Sequence, residues 1–145
     1  TGVIANAGLD SMFTSFATQK GLDGSTILNL MPKFLITPAA KAATAANSQI
    51  TTGPSLAAAS QNWFAGRLTV VSDGELDATS TAVWYGATDP SILPGVEYCH
   101  LQGAEGPQII RKENEGGVLG IQLYAFLDFG VKAVDFRTMY KSSGA

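Results

Sequence analysis

The stretch that decides the predicted fold is LDFGVKAVDFRTMYK, residues 127–141. Its middle part, residues 131–136, is rich in valine and aromatic side chains, which predicts a β-strand. Gly130 precedes this segment and is expected to end the apolar run before it, because glycine weakens a strand interior. The C-terminal part of the chain is therefore predicted to be β-structure.

Three apolar or alternating segments lie upstream of this stretch, at residues 96–101, 108–112 and 119–129. Glycine-bearing turns separate them at residues 102–106 and 114–117. Apolar runs divided by such turns are typical of consecutive antiparallel strands, so we predict a meander.

The N-terminal part predicts helices. A helix over residues 8–20, which Asn6 could cap, is indicated by apolar side chains at helical spacing: Leu9, Met12, Phe13 and Phe16. A short strand is predicted at residues 33–36. Thr37 then serves as the cap of a second, alanine-rich helix over residues 38–46.

The middle of the chain is more varied. Residues 48–60 lack charge and periodicity and are predicted to be a flexible connection, and residues 67–72 are predicted to form a strand. Asp77 is expected to cap a short helix or turn that carries residues 82–85. We expect both N-terminal helices to pack on one sheet that contains residues 33–36, 67–72 and 131–136, which makes the chain a single α+β unit.

Composition excludes several classes of function. Apolar residues make up 46% of the 145 residues. Charged residues make up 14%, which is below the roughly 25% of ordinary soluble domains. The formal net charge is −3 and no basic cluster is present, so phosphate-driven nucleic-acid binding is not expected. Cys99 is the only cysteine, and no apolar run approaches the roughly 18 residues of a membrane span.

Catalytic candidates are few. Cys99 and His100 would lie on opposite faces of a strand and could not form a nucleophile–base pair, so Cys99 is predicted to be a small core residue. The acidic groups occur in a turn and near hairpin tips and are expected to be solvated: Asp73, Glu75, Asp77, Glu105, Glu113 and Glu115. A calcium site at residues 73–77 would lack the twelve-residue loop and its closing glutamate. We predict no catalytic, cofactor-binding or metal-binding residue. Four aromatic residues are expected in the core or at subunit contacts: Trp63, Phe64, Trp84 and Tyr85.

Residues 127–141 resemble the C-terminal signature of tailed-phage major capsid proteins, in the group of prohead protease/capsid fusions and Mu-like major head subunits. Three more stretches resemble this family in the same order. They are NLMPKFLITP at residues 29–38, WYGATDP at residues 84–90 and VEYCHLQGAEGPQ at residues 96–108.

The resemblance implies the Hong Kong 97-like capsid fold. Residues 1–92 and 130–145 would then belong mainly to the axial domain, and residues 93–129 would be strands that reach toward the peripheral domain. The family's N-terminal arm, extended loop and spine helix normally precede the matched region, so the chain is expected to correspond to the C-terminal portion of a subunit.

The implied function is that of a structural, non-enzymatic subunit which assembles with itself into capsomer hexamers and pentamers. Such a subunit encloses DNA without reading its sequence. It needs no cofactor and contacts no membrane. It resides in the virion capsid after assembly in the host cytoplasm.

Two alternatives remain open. One is a small α+β binding module or other virion component that uses residues 51–64 as a recognition loop. The other is a hydrolase that uses Asp73, Glu75 or Glu105.

Overall fold

The structure is a computed structural model that describes residues 4–49, 62–113, 117 and 119–144. It divides into two compact units. The larger unit comprises residues 1–95 and 135–145, and the smaller unit comprises residues 96–134. Mixed helices and strands confirm the α+β class. No helix in the described part of the chain is long and apolar enough to cross a membrane.

The described helices and strands of the larger unit are α1 (Asn6–Ala17), β1 (Pro32–Pro38), α2 (Ala42–Ser48), β2 (Thr69–Asp73), α3 (Glu75–Thr79), β3 (Trp84–Thr88) and β8 (Met139–Ser142). The strands form a four-stranded sheet in the order β2–β1–β3–β8. Strand β1 pairs in parallel with β2 and antiparallel with β3, and β8 pairs antiparallel with β3.

The core of the larger unit lies between α1 and the sheet. The predicted apolar stripe is confirmed, since Leu9, Met12, Phe13 and Phe16 are all buried. They form one cluster with Leu35 of β1 and Trp84 of β3, both of which are completely buried. The helix begins at Asn6 rather than after it, and Ala5 occupies the cap position without a side-chain hydrogen bond.

The second predicted helix begins later than expected. Thr37 and Pro38 are not its cap and first turn, because both are buried at the end of β1, where they pair with Ser72 and Asp73 of β2. A 3₁₀ turn at Ala39–Lys41 separates this strand from α2. Strand pairing has therefore overridden the local helix signal.

Residues 82–85 were predicted to be helix or turn. This prediction is wrong for Trp84 and Tyr85, which belong to β3. This strand buries Trp84, Gly86 and Thr88 on one face, and that alternation fits a strand and not a helix. Asp77 lies inside α3 and does not cap it. The carboxylate of Asp73 instead accepts a hydrogen bond from the Glu75 N–H at 3.0 Å.

Residues 131–136 do not join the sheet of the larger unit. Residues 131–133 belong to a strand of the smaller unit, and the third and fourth places in the larger sheet are taken by β3 and β8. The strands predicted at residues 33–36 and 67–72 are confirmed as members of one sheet, although the second strand begins at Thr69. Most of the predicted connection, residues 50–60, lies outside the described residues.

The smaller unit consists of two nested antiparallel pairs. Strand β5 (Gln108–Glu113) pairs with β6 (Ile121–Phe126), and β4 (Val96–His100) pairs with β7 (Phe129–Ala133). The predicted meander is therefore wrong in its first pairing, because β4 pairs with β7 and not with β5. Gly130 does not end a strand, since it lies within β7 opposite Cys99. We call strands β4 to β7 the ribbon.

Candidate self-association surface

The ribbon has no core of its own. None of the described residues in the range 96–134 is buried, whereas eleven hydrophobic residues are buried among the described positions of the larger unit. A two-stranded β-ribbon is at best marginally stable in water without a layer packed on one face. The described part of the ribbon therefore leaves its apolar side chains exposed.

The pairing of β4 with β7 collects apolar side chains on one side. Residues that are directly opposite in an antiparallel pair project to the same face, and successive residues alternate between faces. One face of this pair, here named the apolar face, consists of Val96, Tyr98, His100, Phe129, Val131 and Ala133. Exposure reaches 75% for Tyr98, 64% for Phe129 and 60% for Val131.

The reverse side of the same pair, here named the charged face, has a different character. Glu97 lies directly opposite Lys132, and Cys99 lies directly opposite Gly130. A Cβ atom placed on Gly130 would lie 3.2 Å from the Cys99 sulfur, so a side chain at this position would crowd the thiol. The two faces thus differ in charge although they share the same backbone.

The β5–β6 pair carries further exposed apolar side chains. Ile109, Ile121 and Leu123 share one side with Arg111 and Glu113, which form an ion pair with each other. On the other side, the Lys112 ammonium lies 5.6 Å from the centre of the Tyr124 ring. Charged groups interrupt both sides of this pair, so neither side is as uniformly apolar as the apolar face of β4–β7.

An alternating sequence pattern indicates this surface. The prediction that a strand ends at Gly130 divided the pattern in two. Every odd-numbered position from Ile121 to Ala133 holds an apolar residue, whereas the even-numbered positions include glutamine, aspartate, glycine and lysine. Alternation of this kind indicates a strand with one apolar face. The interruption between β6 and β7 falls at residues 127–128 instead.

Cys99 is exposed, so the prediction of a buried core residue is wrong. It lies on the charged face, where no described part of the chain covers it. The neighbouring His100 belongs to the apolar face, and its ring meets the Tyr98 ring edge-on at 5.7 Å between centroids. The two side chains therefore project to opposite sides of β4 and form no nucleophile–base pair.

The candidate carboxylates are spread over several turns and strands. Asp77 accepts a hydrogen bond from the Ala40 N–H at 3.3 Å, Glu113 pairs with Arg111, and Glu105 is exposed. Glu115 lies outside the described residues. Within the described ranges, no group of three or more acidic, histidine or cysteine side chains is arranged to hold a metal ion.

The carboxylates with the most perturbed pKa are in turns of the larger unit. Hydrogen bonds from Thr26 and Ser25 lower the pKa of Asp23 to about 2, and hydrogen bonds led by that from the Lys33 ammonium lower the pKa of Asp89 to about 2. The Arg137 guanidinium likewise lowers the pKa of Asp135. All three are therefore ionised near neutral pH and stabilise local chain geometry.

The four aromatic residues divide between core and surface. Phe64 and Trp84 are buried and Tyr85 is half-buried. Trp63 is 57% exposed, and the Arg67 guanidinium lies 3.6 Å from its ring centre in a cation–π contact. The recognition loop considered at residues 51–64 lies outside the described residues up to position 61.

The chain is similar to a known protein family. The sequence model of a family described as phage capsid protein matches residues 1–142. No curated protein and no solved structure matches the chain.

Proposed function

Because the chain belongs to the phage capsid protein family, we propose that it is a head-forming subunit which assembles with copies of itself through the ribbon. The family supports a structural role in the virion capsid. The finer assignment that we propose is to tailed-phage major capsid proteins of the prohead protease/capsid fusion or Mu-like group, with the Hong Kong 97-like fold.

The observation that carries this proposal is the absence of any buried residue among the described positions of the ribbon. Contiguous exposed apolar patches larger than a few hundred Å² are uncommon on monomers, and such patches often mark a site of interaction. In a capsid protein the partner present at the highest local concentration is another copy of the same chain. Repetition of one contact around a symmetry axis then produces closed rings.

We propose that the larger unit is the axial domain at the capsomer centre and that the ribbon is the set of strands that reach toward the peripheral domain. This proposal moves residues 130–134, which the resemblance assigned to the axial part, to the ribbon. The larger unit has a continuous hydrophobic core between α1 and its sheet, which supports a rigid role. The ribbon has pairing but no core, which supports a role in contacts with neighbouring copies. Hexamers and pentamers are the capsomers that we expect in the assembled head.

The relation to DNA that we propose is enclosure without sequence recognition. The net charge of −3 supports this, because a protein that neutralises many phosphates needs clustered lysine and arginine. We propose no catalytic residue and no cofactor. Assembly in the host cytoplasm is part of the same proposal.

The proposal is tested by sedimentation velocity over a hundredfold range of protein concentration, with negative-stain electron microscopy of each sample. We expect the mean sedimentation coefficient to rise with concentration and ring-like oligomers to appear. A single monomeric species at every concentration would contradict self-assembly, and a stable one-to-one complex with a different virion protein would favour the binding-module alternative.

A further inference from the structure

We infer that the ribbon is a module inserted between β3 and β8 of the larger unit, and that it opens and re-forms while the larger unit stays folded. The device that permits this is a group of four residues, here named the clamp: Gly95, Asp135, Arg137 and Thr138. All four belong to the larger unit, at the points where its chain stops and resumes. The inference concerns a single chain and holds whether or not copies associate.

Strands β3 and β8 are neighbours in the sheet although the whole ribbon separates them in the sequence. They pair antiparallel, from Trp84 opposite Ser142 to Ala87 opposite Met139. Among the described residues, the buried hydrophobic cluster that packs on this sheet consists entirely of members of the larger unit. The larger unit therefore builds its sheet and core from its own two chain segments, and the ribbon is an insertion between them.

The clamp holds these two chain segments together at the ends of the insertion. The Asp135 N–H donates a hydrogen bond to the Gly95 carbonyl oxygen at 3.4 Å. The buried Thr138 hydroxyl donates to the Asp135 carbonyl oxygen at 2.9 Å. The same hydroxyl oxygen would lie 1.9 Å from a Cβ atom placed on Gly95, so the two segments are packed against each other at this point.

An ion pair fixes the conformation of the returning segment. The Asp135 carboxylate accepts hydrogen bonds from the Arg137 backbone N–H and from Arg137 Nε, both at 2.9 Å. The Asp135 side chain is 12% exposed and the Arg137 side chain 13% exposed. Hydrogen bonds between a guanidinium and a carboxylate are stronger than those between neutral groups. They hold residues 135–137 in place just before β8 begins at Met139.

The clamp makes the stability of the larger unit nearly independent of strand pairing in the ribbon. An opened ribbon is a loop whose ends are already held at Gly95 and Asp135, and the entropic cost of holding loop ends grows only with the logarithm of loop length. The ribbon itself is weakly held, since none of its described residues is buried and two-stranded pairs are at best marginally stable. Segments with few buried apolar contacts open at a lower free energy than a core.

Native-state hydrogen exchange of the full chain in dilute solution measures the two openings separately. We expect peptides from residues 96–134 to exchange at least roughly tenfold faster than peptides from β1 and β3, through an opening that leaves tryptophan fluorescence unchanged. Both tryptophans, Trp63 and Trp84, lie in the larger unit, so fluorescence reports on that unit alone. Equal protection of the ribbon and of these two strands would overturn the inference.

A proline substitution forces the ribbon open. Val131→Pro interrupts β7, because proline cannot donate to the strand ladder, and Val131→Thr is the matched control that keeps a β-branched side chain. Val131 is 60% exposed, so neither change removes a packed side chain. We expect both variants to keep the urea midpoint of the parent chain and to change the exchange rate of β8 amides less than about twofold. A lower midpoint or a loss of folding in Val131→Pro would overturn the inference.

The clamp has a readout of its own. Thr138→Val removes the hydroxyl that donates to Asp135, and Asp135→Asn weakens the ion pair with Arg137. In either background Val131→Pro should speed the exchange of β8 amides by roughly fivefold or more, because opening of the ribbon then spreads past residue 135. If the proline affects β8 as little in these backgrounds as in the parent chain, the clamp does not isolate the larger unit and its assigned role is wrong.

Discussion

Substitution of Gly86 by alanine probes the packing that holds the larger unit together. Strand β3 passes close to α1 at this glycine. A Cβ atom there would lie 2.2 Å from the Met12 sulfur, 3.1 Å from its Cγ and 3.4 Å from a ring carbon of Phe16. Met12 is completely buried and Phe16 nearly so, which leaves the methionine little room to move aside.

The expected magnitude follows from this overlap. Forcing an additional methyl group into a packed core typically costs about 1–3 kcal/mol. For a unit of about 100 residues, each kcal/mol lowers Tm by roughly 4–8 °C. Met12→Ala alone should cost about 2–5 kcal/mol through loss of buried surface and cavity formation. In the double variant the new methyl group fills part of that cavity, so the combined cost should fall short of the sum by about 1 kcal/mol or more.

The assay is urea unfolding followed by tryptophan fluorescence, with Gly74→Ala as the control. Gly74 has φ −69° and ψ −25°, and no atom lies within 4 Å of the Cβ position there. Alanine at this site should change the free energy of unfolding by less than about 1 kcal/mol. A Gly86→Ala effect as small as that of Gly74→Ala, or additive effects of the Gly86 and Met12 changes, would refute the close packing of Met12 on this strand.

Three further predictions concern Gly95, the Cys99 thiol and the response to acid. Gly95→Ala should destabilise the larger unit by about 1–3 kcal/mol, because its Cβ would lie 1.9 Å from the Thr138 hydroxyl oxygen; an unchanged urea midpoint would argue against this. Cys99 should react with a thiol reagent in the folded chain at a rate that His100→Gln changes less than about twofold, since the two side chains face apart; a large decrease would reveal coupling. The folded-state pKa of Asp89 is about 2 instead of 3.8, so its stabilising contribution is present above about pH 4 and is lost as the pH falls toward 2. Asp89→Asn should therefore reduce the acid-dependent fall in urea midpoint, and an identical pH profile would contradict the assignment.

Local pattern was sufficient for some elements of the larger unit. The spacing of Leu9, Met12, Phe13 and Phe16 predicted the buried face of α1, because a helix repeats every 3.6 residues whatever it packs on. Strand β3 was missed because its aromatic and small residues carry no clear period. Its conformation is decided by the burial of Trp84 against the core and by the close approach of Met12 at Gly86, which are tertiary contacts.

The sequence predicted the strands of the candidate surface but not their pairing. Alternation along residues 119–129 indicated strands with an apolar side. It could not indicate that β4 pairs with β7, because that pairing depends on how the intervening turns close. Nor does an apolar strand show whether its cover comes from the same chain or from another. Cys99 was assigned to the core for this reason, although the ribbon leaves it exposed.

Hydrogen exchange measured by mass spectrometry, on dilute and on associated protein, tests most directly whether the ribbon is an assembly surface. We predict fast exchange of the amides in residues 96–134 at low concentration and strong protection of the same amides after association, with the core strands of the larger unit protected in both states. Equal protection of the ribbon in dilute monomer and in assembled protein would contradict the account, because the ribbon would then be stable without a second copy.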